Sequence, residues 1–187
     1  MISSIRLRLP DLLEGEIYQG WLERVRVINN YGDLHGMYRD LRAVALTATG
    51  GSAEHYHEVG AAVTATDYSE FIEQHTLVPF LELPDKSHYF REGRWVASPW
   101  NYHNDSMSRV LSMGKKCVAC EQTDIRTRGV GYLRRDHQIP GVAWCLMHGT
   151  RLVWLSAEPP TDSASADDSI GFEAIKARVF ELMCGLG

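Results

Sequence analysis

Cys117-Val118-Ala119-Cys120 and Cys145-Leu146-Met147-His148 stand 24 residues apart, and their reading decides the fold. Each pair holds two soft donors with a two-residue gap, which lets both reach one ion from a tight turn. Zn2+ takes four nitrogen or sulfur ligands tetrahedrally, so two such pairs joined by a loop or hairpin close a Cys3His sphere. Four protein ligands leave no position for water, and the expected ion is structural. Structural zinc supplies on the order of 10–16 kcal/mol of apparent binding energy in small domains. That suits a segment of some forty residues with few large apolar groups. A competing reading makes one pair accidental, its thiols buried as small hydrophobes; paired knuckles are more specific than that. His137, His55 and His57 lack partners at ligand spacing and are left out of the metal set. Cys184 is expected in a core. With only four cysteines in 187 residues, a secreted disulfide scaffold is excluded.

Between the pairs runs Tyr132-Leu133-Arg134-Arg135-Asp136-His137-Gln138-Ile139-Pro140-Gly141-Val142. The chain carries a net charge of −5, but from Lys115 to Asp136 six basic residues face three acidic ones, a local +3. Arginine forks beside a zinc-held turn suit phosphate or carboxylate. Arg126, Arg128, Arg134, Arg135 and His137 are therefore the candidate contacts to nucleic acid or an acidic partner. The alternative is that Asp136 and the arginines pair internally and only brace the finger.

Outward from this segment the pattern is helical. Leu13, Ile17, Trp21, Val25 and Ile28 form one stripe of a helix over 14–29. Asp33 caps a second helix over 34–46, with Leu34, Tyr38, Leu41 and Ala45 on one side. A third is expected over 53–63. The fourth opens on an Asp67-x-x-Glu70 capping box and presents Tyr68, Phe71, Ile72 and His75, with Pro79 and Pro84 ending it. A hairpin turning at Glu92-Gly93 and a helix over 104–113 follow. From Lys116 to Leu155 short strands and turns are expected around the cysteines. Residues 156–169 read as a Pro-, Ser-, Ala- and Asp-rich linker, and Phe172, Ile175, Val179, Leu182 and Met183 as an amphipathic helix. The expected fold is mainly α with a small zinc-finger module. Its parts are a helix-turn-helix-like N-terminal domain (1–113), the module (114–155), a linker (156–170) and a C-terminal helix (171–187).

Composition and missing motifs narrow the function. Hydrophobic residues make up 44% and charged residues 23%, ordinary globular usage that excludes a mostly disordered chain. No apolar run approaches the ~20 residues of a membrane span, and Arg6 and Arg8 sit where a signal peptide is greasy. A cytoplasmic protein is expected. Asp136-His137-x2-Pro140-Gly141 is similar to part of an HNH nuclease motif. Only three residues separate Gly141 from Cys145, too few for the loop and helix carrying the second metal ligands. Gly50-Gly51-Ser52 lacks the lysine and spacing of a phosphate loop, and no nucleophile elbow occurs. No catalytic residue is assigned.

Three stretches resemble the TniQ/TnsD family of transposition proteins. They are Leu9-Pro10-Asp11 through Trp21-Leu22-Glu23-Arg24, then His75-Thr76-Leu77-Val78-Pro79-Phe80, and, most specifically, Cys117 to Leu152. Leu133 stands where the family usually has Trp, and no second finger follows His148-Gly149. The resemblance implies a non-catalytic adaptor that links a target-site recogniser to the AAA+ regulator TnsC; in CRISPR-associated transposons an RNA-guided effector is the recogniser. Further expectations are the one structural zinc given by the ligand spacing, DNA or RNA within the assembly and a bacterial cytoplasmic setting, with homodimer formation left open. The short length fits the small TniQ type or an N-terminal portion of a longer member. The N-terminal helices would meet TnsC, although periodicity puts Trp21 in the core. The alternative is a zinc-finger DNA-binding transcription regulator.

Overall fold

A computed structural model describes residues 7–53, 55–80, 89–96, 114–139 and 141–155. Its helices are α1 (Tyr18–Ile28), α2 (Leu34–Thr49), α3 (Tyr56–Thr64), α4 (Tyr68–His75), α5 (Val118–Arg128) and α6 (Arg135–Gln138). Two antiparallel two-stranded ribbons complete it, β1 (Phe90–Arg91) with β2 (Arg94–Trp95) and β3 (Lys115–Lys116) with β4 (Val153–Trp154). The described part is thus mainly helical, with a small cysteine-bearing module.

The helical half follows its apolar pattern. Asp33 caps α2 by accepting from the Gly36 amide at 2.7 Å, and Gly50 ends it in the left-handed region (φ +66°). That stop signal carries α2 three residues past the expected Leu46. Asp67 caps α4, its Oδ1 accepting from Ser69 and Glu70 amides. Tyr18, Trp21, Leu22, Val25, Met37, Leu41, Ala45, Tyr56, Val59 and Phe71 form one core. Trp21 is fully buried and its indole N–H donates to Pro10 O at 2.8 Å, so it is a core anchor. The β1–β2 ribbon turns on Glu92 and Gly93, both at positive φ as a type I′ turn requires. It docks on α4 through Trp95 N donating to Ser69 Oγ and an Arg94–Asp67 pair.

Four expectations are corrected. α1 begins at Tyr18 because Gly15 reverses the chain (φ +69°) and Glu16 bridges to Arg134; at its other end Ile28 is 45% exposed, off the expected stripe. α3 starts at Tyr56, where the Glu58 carboxylate accepts from the His55 amide. α4 stops at His75, before any proline, because the Thr76 hydroxyl turns back onto Ile72 O; Pro79 lies in a separate 3-10 turn, Val78–Phe80. Lastly, the eleven-residue α5 occupies a stretch read as strands and turns. Its two larger apolar residues, Val118 and Ile125, are about half exposed, so periodicity carried no helical signal there. The helix expected at 104–113, the linker, the C-terminal helix, Pro84 and Cys184 lie outside the described residues.

Gly60 of α3 meets the core side on. A Cβ there would overlap the Phe71 ring and come 2.8 Å from a Tyr18 ring carbon. In an ordinary helix Gly→Ala stabilises by about 1 kcal/mol. Here Gly60→Ala is expected to destabilise by about 1–3 kcal/mol through overpacking, the opposite sign, in a thermal or urea melt.

A seam joins the helical half to the cysteine module. Ile17 and Leu77 sit in one apolar cluster with Cys117, Cys120, Ile139, Val142, Cys145 and Leu152. Ile17 N donates to Leu133 O at 2.9 Å and Arg135 N to Gly15 O at 2.8 Å. Gly20 lets this seam close, since a Cβ there would stand 2.9 Å from Leu133 Cβ. His75 Nδ1–H donates to Glu16 O at 2.8 Å, and burial holds its imidazole below the usual pKa.

Candidate metal centre

Backbone geometry brings the two donor pairs together. Cys117 leaves β3 as the N-cap of α5, and Cys120 follows in the first turn of that helix. Cys145 to Thr150 forms the tip of a hairpin: Cys145 N donates to Thr150 O, Gly149 N to Cys145 O, and Leu152 N to Ala143 O, each at 2.8 Å. Cys117, Cys120, Cys145 and His148 then place one donor atom each within 4.8 Å of all the others. The three cysteines are buried and His148 is exposed.

The donor set fits a tetrahedral ion. Zn–S bonds of about 2.3 Å and a Zn–N bond of about 2.0–2.1 Å imply edges of about 3.8 Å between sulfurs and about 3.6 Å from sulfur to nitrogen. Cys120 Sγ lies 3.6 Å from Cys145 Sγ. His148 Nδ1 lies 3.6, 3.3 and 3.5 Å from the sulfurs of Cys117, Cys120 and Cys145. One imidazole nitrogen near three thiols at these separations is the arrangement an ion between them would impose. The thiol chemistry agrees. Burial pushes the Cys120 and Cys145 thiols up, and sulfur neighbours add to this at Cys120. At Cys117 burial is outweighed by donation from Thr150 and from the Cys120 and Ala119 amides, and the thiol falls to about 7. Three thiols this close shed all their protons only when a cation shares the charge.

The surroundings of the cluster were less legible. Thr150 Oγ1 lies 3.3 Å from Cys117 Sγ, and nothing in its sequence context marks it. Lys115 Nζ donates to Ile139 O at 3.2 Å and Val142 O at 2.5 Å, tying β3 to the loop before the second knuckle. Burial lowers its ammonium to about 8.

The five contact candidates separate into different environments. Arg134 holds Asp124, 2% exposed, through two bonds of 2.6 and 3.1 Å, and lies over the Tyr132 ring. Here the internal pair expected of the segment exists, but its acid is Asp124 and not Asp136. Arg135 is half-buried over the Phe80 ring, with Nη1 enclosed and without a hydrogen-bond partner. Among the described residues Arg126 is exposed and bonds locally to Thr123 Oγ1, and Arg128 is exposed with Glu14 3.9 Å away. His137 is 2% exposed and lies beneath the cysteines, Nε2 3.8 Å from Cys120 Sγ. Arg128, Arg134 and Arg135 share a cleft of about 290 Å3 with Tyr132, Glu14 and Asp136. A larger cleft of about 440 Å3 separates α1 from the module and reaches Cys117, Cys120 and His137. His57, 1% exposed, packs among Tyr18, Tyr56 and Phe71, away from the metal set.

Among the described residues no helix is long and apolar enough to cross a membrane. Compared with family models, residues 7–152 match that of TniQ. No curated protein and no solved structure is significantly similar to the chain.

Proposed function

This chain belongs to the TniQ family and is a transposition-associated protein, and we propose from that premise that it is a non-catalytic adaptor. It would connect a target-site recogniser, an RNA-guided CRISPR effector being one such, to a TnsC-type AAA+ ATPase in the bacterial cytoplasm. The carrying observation is that the family match spans the helical half, the seam and the Cys3His module together. A helical half packed across an apolar seam onto a metal-braced corner suits a part that holds two others in fixed relation.

In this reading Zn2+ bound by Cys117, Cys120, Cys145 and His148 is structural, and residues 114–155 form the module it braces. Arg126 and Arg128, exposed on the last turn of α5, meet phosphate or an acidic partner surface first. Arg135 adds a third guanidinium at the cleft. Arg134 and His137 serve the same surface from beneath, as props. On α1 the exposed Val27 and Ile28, rather than Trp21, are the side chains open to TnsC.

The test is co-sedimentation of the full chain with the ATPase encoded in the same element, with ATP and target DNA. Retention with the ATPase is expected, with weak binding to duplex alone. The paired variant Arg126→Glu, Arg128→Glu should lower retention roughly 10-fold, about 1.4 kcal/mol, without lowering the melting temperature. Tight, strongly salt-dependent binding of a defined duplex by the isolated chain, with no ATPase retention, would instead identify a DNA-binding regulator.

A further inference from the structure

We infer that His137 is a positioning residue of the metal centre, its Nε2–H donating to the Cys120 thiolate. The inference rests on the Cys3His reading and concerns how its three sulfurs are unequally served. Cys117 receives the Cys120 and Ala119 amides and the Thr150 hydroxyl. Cys145 receives the His148 and Met147 amides. These are the donors a knuckle supplies to its first cysteine, because the chain turns its next amides inward. Cys120 is the second cysteine of its pair and lies within α5, where the following amides are committed to helix carbonyls. Burial and the two neighbouring sulfurs are the largest influences on its thiol, ahead of any backbone amide.

His137 fills that gap. Its ring is buried, and Nε2 stands 3.8 Å from Cys120 Sγ, within reach of an N–H···S bond. Three thiolates around a divalent cation leave a net negative charge in a buried site, and each donor spreads that charge. Contact with a single sulfur distinguishes His137 from a ligand, since His148 Nδ1 approaches all three.

The placement is built. α6 is a single turn, in which Asp136 Oδ1 accepts from the adjoining His137 amide at 2.9 Å and lies 3.9 Å from Nε2 of the same residue. The next residue, Gln138, clamps β3 from both sides: Oε1 accepts from Lys115 N at 2.9 Å and Nε2 donates to Lys115 O at 2.7 Å. Lys115 is two residues from Cys117. The His137-Gln138 dipeptide therefore registers one ligand-bearing strand and serves the helical ligand with the adjacent side chain. A hydrogen-bond donor to a metal-bound sulfur is worth about 10–100-fold in metal affinity.

The test compares the parent chain with His137→Gln and His137→Leu, each loaded with Co2+ and then with Zn2+. Gln keeps a donor near the Nε2 position, whereas Leu keeps the volume and loses it. In the parent, cobalt should give the spectrum of a tetrahedral S3N site. His137→Leu should keep that ligand count, shift the thiolate-to-cobalt charge-transfer band and weaken zinc about 10–100-fold in chelator competition. His137→Gln should recover most of that loss. Equal zinc affinity and an unmoved band in His137→Leu would overturn the inference while leaving the metal centre standing. Loss of the nitrogen ligand in His137→Leu would overturn it by making His137 a ligand. A parent chain that takes up neither metal would remove both readings.

Discussion

Cys145→Ser should abolish zinc retention and unfold residues 114–155, while Met147→Ala, two residues further on in the same knuckle and 63% exposed, should do neither. A structural site at pH 7 supplies on the order of 10–16 kcal/mol, against a total stability of roughly 5–15 kcal/mol for a whole domain. Deleting one of four ligands therefore exceeds what the module can lose. The apolar cluster that remains holds Ile17 and Leu77 from the helical half, and without the cysteines in place these two lose their cover. The damage should spread across the seam, with faster hydrogen exchange in the first turn of α1 as well as in α5. Elemental zinc, limited proteolysis and hydrogen exchange read the three effects. A Cys145→Ser chain that keeps its zinc and resists protease like the parent would show that the thiols are only packing groups.

Arg24→Met should cost about 3–5 kcal/mol, the penalty for stripping one partner from a buried ion pair. Glu16 has no exposed side-chain surface, and Arg24 holds it through bonds of 2.8 and 2.6 Å; only the Leu13 amide, at 3.1 Å, would remain. Arg24 also donates to Asp11 O at 2.7 Å, so its loss frees the segment that leads into α1. Burial already raises the Glu16 carboxyl above its usual 4.5, against the pull of Arg24. A raised folded pKa means that the native state holds a proton the unfolded chain has released. Stability from this group is therefore highest below 4.5, falls as pH rises through the folded pKa, and is level above it. Without Arg24 that pKa climbs further, so the deficit of Arg24→Met should be largest at pH 7–8 and shrink as pH is lowered toward 5. Adding Glu16→Gln to Arg24→Met should restore more than half the loss. A single-variant deficit under 1 kcal/mol, or one that grows on acidification, would show that the pair holds nothing in place.

How far these features could be read in advance depended on the kind of signal each one leaves. Local chemistry was visible: Asp33 and Asp67 capped the helices they precede, Glu92-Gly93 made its turn, and the two knuckles met. Caps and turns are decided within four or five residues, and the knuckles were legible because each pair carries its own two-residue ligand spacing. α5 was invisible because a helix anchored by the buried Cys117 and Cys120 and by a buried Asp124–Arg134 pair needs no apolar stripe. The seam was invisible for a different reason. Gly20 against Leu133, and Glu16 beside Arg134, are partners more than a hundred residues apart whose identities say nothing of each other. The placement of His137 falls between these cases. It stands alone in the sequence, and only the fold of α6 onto β3 carries it beneath Cys120.

Zinc K-edge absorption on the purified chain tests the central claim most directly. One zinc per chain is expected, its first shell holding three sulfurs at about 2.3 Å and one nitrogen at about 2.0–2.1 Å with no water oxygen. A shell with fewer sulfurs, a second nitrogen or a bound water would contradict a closed Cys3His centre, and so would a chain that purifies folded without metal.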